Sequence, residues 1–146
     1  MNTHRVTGAA LAGLAVLLTS CTTPPPAADP ATQAAIAYYT SIDTGTPDNC
    51  DLTWSYRAQP DKLSACKANP IGGRRSIVST EVLRTVPFPG PTGGPGKALT
   101  VAMTLKDGSA IYAVAMAEAD GQWFWVKEES LAKAPATDDE LTAALA

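Results

Sequence analysis

Histidine is almost missing from this 146-residue chain: the one imidazole is His4, and none follows it. Downstream of that residue, Ser-His and Cys-His nucleophile pairs, His-ligated zinc and histidine general bases are therefore excluded. Cysteine is scarce too. Cys21, Cys50 and Cys66 form no C-x-x-C motif and have no accompanying ligand set, so no metal or cofactor is expected. Basic residues do not prevail: 11 Lys and Arg face 14 Asp and Glu, a formal net charge of −3. That balance lacks the positive footprint of a nucleic-acid binder, and none is expected as a partner. No internal repeat is present. The apolar run 6–18 falls short of the roughly 20 residues a membrane-spanning helix needs.

That run has another reading. His4 and Arg5 form a short basic region, 6–18 carries no charge, and small residues follow, which together describe a secretory signal. Leu18-Thr19-Ser20-Cys21 resembles the bacterial lipobox, an aliphatic residue and two small ones before cysteine. The resemblance implies cleavage before Cys21, diacylglycerol on its thiol and an acyl group on its new amine. Two or more acyl chains anchor a protein stably, so residues 21–146 are expected on the extracytoplasmic face of the cell membrane. The alternative is an ordinary signal peptide in which Cys21 carries no lipid. Residues 1–20 hold one Arg and no acid, which leaves the remainder at −4.

An exported chain with Cys21 lipidated retains Cys50 and Cys66, and an oxidising compartment favours their pairing over two free buried thiols. Closing that loop would stabilise the fold by roughly 3 kcal/mol.

Residues 22–31 (TTPPPAADPA) are proline-rich and read as an extended tether spanning roughly 25–30 Å. Asp29-Pro30 is a helix start, with Asp as cap and Pro in the first turn. Ala31, Ala34, Ala35, Tyr38 and Ile42 share one face, and Gly45 and Pro47 end the helix near residue 44. A second helix is predicted from Asp48 to about Arg57 and a third from Pro60, closed at Asn69-Pro70. From residue 74 the period becomes two. Val78, Thr80, Val82, Val86 and Phe88 alternate with mostly polar neighbours, predicting a half-buried strand over 75–88. After a Pro/Gly loop at 87–97, read as flexible, Leu99, Val101, Met103 and Leu105 alternate along a second strand. Asp107-Gly108 and Asp120-Gly121 are hairpin signals flanking a third strand at about 109–118, and 122–126 (QWFWV) is the fourth. Thr137 with Glu140 fits a capping box for a short helix to about Ala144. The expected organisation is signal 1–20, lipidated Cys and tether 21–29, domain 30–128 and a C-terminal tail 129–146.

Helices followed by an antiparallel sheet with a closing D-G-x-W strand resemble the NTF2-like superfamily, and more narrowly its small lipoproteins in high-GC bacteria. The resemblance rests on Tyr38, Tyr39, Asp43 and Gly45 at the end of the first helix, on a cysteine in the second helix and another before the sheet, and on Asp120 to Val126 (DGQWFWV). It covers about residues 30–128 and implies an α+β cone, a curved sheet of about four strands wrapped round the helices.

Two functions follow from a cone. The first is non-catalytic binding of an apolar small molecule or an envelope partner protein, with a pocket drawn from Tyr38, Leu99, Val101, Met103, Leu105, Tyr112, Trp123 and Trp125. The second is an isomerase- or hydrolase-type enzyme using a carboxylate and a tyrosine, for which Asp43, Glu81 and Tyr38 are the candidates. Asp43 at a helix end and Glu81 on the polar side of its strand argue against it. The stretch 90–98 is no phosphate loop: Pro91 stands where the first glycine belongs and Ala98 where Ser or Thr is required. Arg74 and Arg75 are read as a solvated turn rather than an anion site.

Overall fold

The computed structural model describes residues 28–70, 72 and 76–146. The expected signal 1–20, Cys21, most of the expected tether, Arg74 and Arg75 lie outside the described residues. The fold is α+β: helices come first, then a curved four-stranded antiparallel sheet, then a short helix.

Helix α1 (Pro30–Thr44) starts at Asp29, whose carboxylate accepts from Ala31 N at 3.1 Å. It stops at Gly45, which takes the left-handed conformation (φ 69°) and donates its N–H to Ser41 O. Ala31, Ala35, Tyr38, Tyr39 and Ile42 form its buried stripe. Next come α2 (Asp48–Asp51), a 3-10 turn (Trp54–Tyr56) and α3 (Pro60–Ala68). The continuous helix expected to Arg57 is interrupted. Thr53 is extended and bridges Trp125, and Leu52 O accepts from Trp125 N at 2.7 Å. A tertiary hydrogen bond here replaces a local helical one, and it also covers part of an otherwise bare sheet edge. Cys50 and Cys66 are joined, with Cα atoms 5.9 Å apart, stapling α2 to α3.

The strands are β1 (Ile77–Pro87), β2 (Gly96–Leu105), β3 (Gly108–Ala119) and β4 (Gln122–Leu131), paired in sequence order. Asp120 and Gly121 both have positive φ (55° and 77°), as a two-residue hairpin turn requires. The Pro/Gly loop, read as a flexible hairpin-like connection, is hydrogen-bonded as an extension of the β1–β2 hairpin. Phe88 N donates to Gly96 O, Gly90 N to Gly94 O, and Glu118 N to Pro95 O, each at 3.0 Å.

Bulges reset which face each residue takes. In β1 the register shifts between Ile77 and Ser79 and again between Val82 and Arg84, leaving Val78 and Leu83 as the extra residues, 65% and 48% exposed. The single alternating face expected through Val78, Val82 and Val86 is therefore broken. Val82 packs towards α1, whereas Val86 belongs to the opposite face, because one inserted residue inverts everything after it. β4 carries a third shift, with Trp125 opposite Met116 but Lys127 opposite Ala115.

Helix α4 (Asp138–Ala144) is capped by Thr137 as expected, Glu140 N donating to Thr137 Oγ1 at 3.2 Å, but the Glu140 carboxylate reaches one residue further back than a capping box requires and accepts from Ala136 N at 2.7 Å. Arg84, turned outward by the bulge beside it, reaches Asp138 Oδ1 at 2.5 Å and Ala136 O at 3.0 Å. Leu141 and Leu145 are buried against the sheet. β4 thus continues past residue 128 and the chain beyond it is an integral layer, not a tail.

Candidate functional site

The sheet has two faces with different cover. On the inner face, α1 meets Leu99, Val101 and Met103 of β2 and Val114 and Met116 of β3 in one buried cluster. All eight sequence-nominated pocket residues converge there: Tyr38, Leu99, Val101 and Met103 are buried within the cluster, and Leu105, Tyr112, Trp123 and Trp125 are half-buried against it. Strand alternation delivers them to one side, and the helical stripe of α1 closes over them. Leu99 and Val101 are 0% exposed and Met103 2%, so these side chains are spent on the core.

The aromatic part is ordered by stacking. Tyr38 lies parallel to Trp125 with centroids 5.0 Å apart, Tyr39 meets Tyr38 edge-on at 5.3 Å, and Tyr112 stacks on Tyr39 at 6.5 Å. Into this cluster the β4 bulge turns Glu128, whose carboxylate oxygen Oε2 accepts from the buried Tyr39 hydroxyl at 2.5 Å. Burial first, and then the neighbouring Glu128 charge, push the Tyr39 hydroxyl far above the usual tyrosine range. The indole Nε1 of Trp125 is buried without a hydrogen bond of normal geometry.

Sequence reasoning missed Glu128. Simple alternation from Trp123 and Trp125 assigns Lys127 to the inner face, and only the register of β4 against β3 reveals that Glu128 goes there instead. The carboxylates that were nominated do something else. Asp43 Oδ1 accepts from Ile77 N at 2.8 Å and so ties the end of α1 to the start of β1. Glu81 is exposed on β1.

Of the eight pocket candidates, Tyr38 and Trp125 line an opening of about 210 Å³ at the disulfide end, together with Ile42, Asn49, Thr53 and Cys66. A larger opening, about 460 Å³, lies on the outer face, where no pocket was expected. Phe88, Pro89 and Pro91 of the Pro/Gly loop form one wall, Ala115, Val126 and Lys127 the floor, and Leu145 the far side. The outer face is built from small residues, Ala98, Ala113, Ala115 and Ala117, all buried. The seven residues of α4 contribute Leu141 to its cover, with Leu145 just beyond them.

Near the start of α1, Asp29 is held by Lys97 Nζ at 2.7 Å, by Ala31 N and by the Thr32 hydroxyl. Burial opposes its ionisation, but these hydrogen bonds outweigh it and keep the carboxyl below its ordinary range. Among the described residues, no group of three potential metal ligands converges and no helix is long and apolar enough to cross a membrane. No family model, curated protein or solved structure matches the chain.

Proposed function

We propose that the chain is an extracytoplasmic lipoprotein with an NTF2-like fold, anchored through Cys21, that binds an apolar small molecule at the cell envelope without catalysing its conversion. The order of elements, the curved sheet and the Cys50–Cys66 staple support the family reading. The contrast between the two faces supports the role. The inner face is closed by α1 except for the smaller opening at the disulfide end, while the outer face keeps a larger apolar opening in the size range of small-molecule sites.

An enzyme reading has one observation in its favour, the Tyr39–Glu128 pair, since a tyrosine beside a carboxylate is what such chemistry would use. The pair is directed at itself: the hydroxyl is buried and its proton already engaged. It acts as a latch between α1 and β4 rather than as a poised acid and base.

Two measurements on protein isolated from its own membrane test the proposal. Native mass spectrometry is expected to show a small apolar adduct, and a stoichiometric protein subunit in its place would assign a partner-binding role. Cys21→Ser is expected to leave the membrane fraction or remain unprocessed. Normal cleavage with unchanged membrane fractionation would contradict the anchor.

A further inference from the structure

The opening on the outer face has a defined chemistry. Its walls are apolar: the ring of Phe88, the pyrrolidines of Pro89 and Pro91, and the side chains of Ala115, Val126 and Leu145. The Pro/Gly loop is what shapes it, and the two arms of that loop approach closely. A Cβ at Gly96 would sit 2.5 Å from Phe88 O, so glycine there lets the two hairpin arms close tightly enough to hold Phe88 against the sheet.

One charged side chain lines the opening. Lys127 is turned outward by the β4 bulge, is half-buried beside Ala115, and pairs with no acid among the described residues. An ammonium with no acidic side chain in ion-pairing distance among the described residues, over an apolar floor, matches an amphiphile with an anionic head and a hydrocarbon tail.

The position fits as well. Lys97, at the start of β2, pairs with Pro87 and Met116 and holds Asp29, the residue at which the N-terminal segment enters the fold. The entry point and the Pro/Gly loop therefore stand at the same end of the sheet. Anchoring at Cys21 would keep that end within a tether's length, roughly 25–30 Å, of the bilayer, the source of acyl chains.

We infer that this opening is a binding site for a free long-chain fatty acid, with Phe88, Pro89, Pro91 and Val126 around the hydrocarbon and Lys127 on the carboxylate. The inference rests on the reading of the chain as an envelope-anchored binding protein and names its ligand class.

The test is photo-crosslinking in intact cells with a diazirine-bearing palmitic acid, followed by peptide mapping. Cross-links are expected on 88–91, on Val126 or Lys127, or on Leu145. Lys127→Glu should reduce them roughly tenfold, the scale of one charge-assisted hydrogen bond. Lys106→Glu, an exposed charge at the opposite end of β2, should leave them unchanged. The corresponding diazirine alcohol should label as weakly as the Lys127→Glu variant. Labelling confined to other segments, or equal labelling by acid and alcohol, overturns the inference. A mass shift on the Cys21 peptide in the same digest reports the anchor separately, so a failed site and a failed anchor give different patterns. Circular dichroism of the purified Lys127→Glu protein, expected to match the unchanged chain, removes misfolding as the cause of lost labelling.

Discussion

The two faces of the sheet share the same four strands yet end in opposite states. On the inner side the residues are large, Leu99, Val101, Met103, Val114 and Met116, and they meet a 15-residue helix carrying two tyrosines. On the outer side they are mostly alanines, facing a helix of seven residues. Close packing is reached where side-chain volume and cover agree, and space remains where both are short. The difference teaches that an aromatic-rich sheet face need not hold the larger opening. Here the aromatics stack on one another, and the larger opening lies beneath the residues with least to fill it.

Truncation on the two faces should therefore cost different amounts. Leu99→Ala removes a fully buried side chain and is expected to destabilise by about 2–5 kcal/mol in chemical denaturation. Val126→Ala, beside the open pocket, should cost about 1 kcal/mol or less, because the floor it leaves is already partly solvated. Equal costs would erase the comparison.

The polar latch belongs to the inner face alone. Tyr39→Phe removes the donor to Glu128 and is expected to cost about 1.5–3 kcal/mol near neutral pH. The sign of the pH dependence follows from the direction of the shift. The folded-state pKa lies above the ordinary value of 10.0, so the hydroxyl's contribution is complete below that value and declines as pH rises past it. The gap between wild type and Tyr39→Phe should narrow in alkaline denaturation series, and a gap that widens there would contradict the latch.

A smaller effect is expected at Asp29, where Asp29→Ala removes the helix cap and should cost about 1 kcal/mol. Its folded-state pKa is lowered from 3.8, so this contribution is present above that pH and is lost as pH falls through the folded value. Stability curves of the two proteins should converge in acid.

Much of this architecture is legible in the sequence, and the parts that are not have a common cause. The Asp29 cap, the Asp120-Gly121 hairpin and the Thr137 cap are local, with partners within a few residues. The convergence of Tyr38, Leu99, Val101, Met103 and Trp125 follows from periodicity. What escapes is decided by a partner strand. The extra residues Val78 and Leu83, and the shift that sends Glu128 inward, are properties of register, and nothing in β1 or β4 alone announces them. The break after α2 has the same origin, since Leu52 O answers to Trp125 N some seventy positions away. The outer opening is not legible either, because it depends on how the Phe88 loop and the end of α4, distant in the chain, meet over Ala115 and Val126.

The central claim, a filled inner face beside an open outer one, meets its most direct test in Met103→Ala, with stability and hydrophobic-dye binding measured on the same sample. The account predicts a loss of about 2–5 kcal/mol and no dye binding beyond that of the unfolded fraction and of the unchanged protein. A variant that keeps its stability and gains a new saturable dye site would show that the inner face is a receptor cavity, and would contradict it.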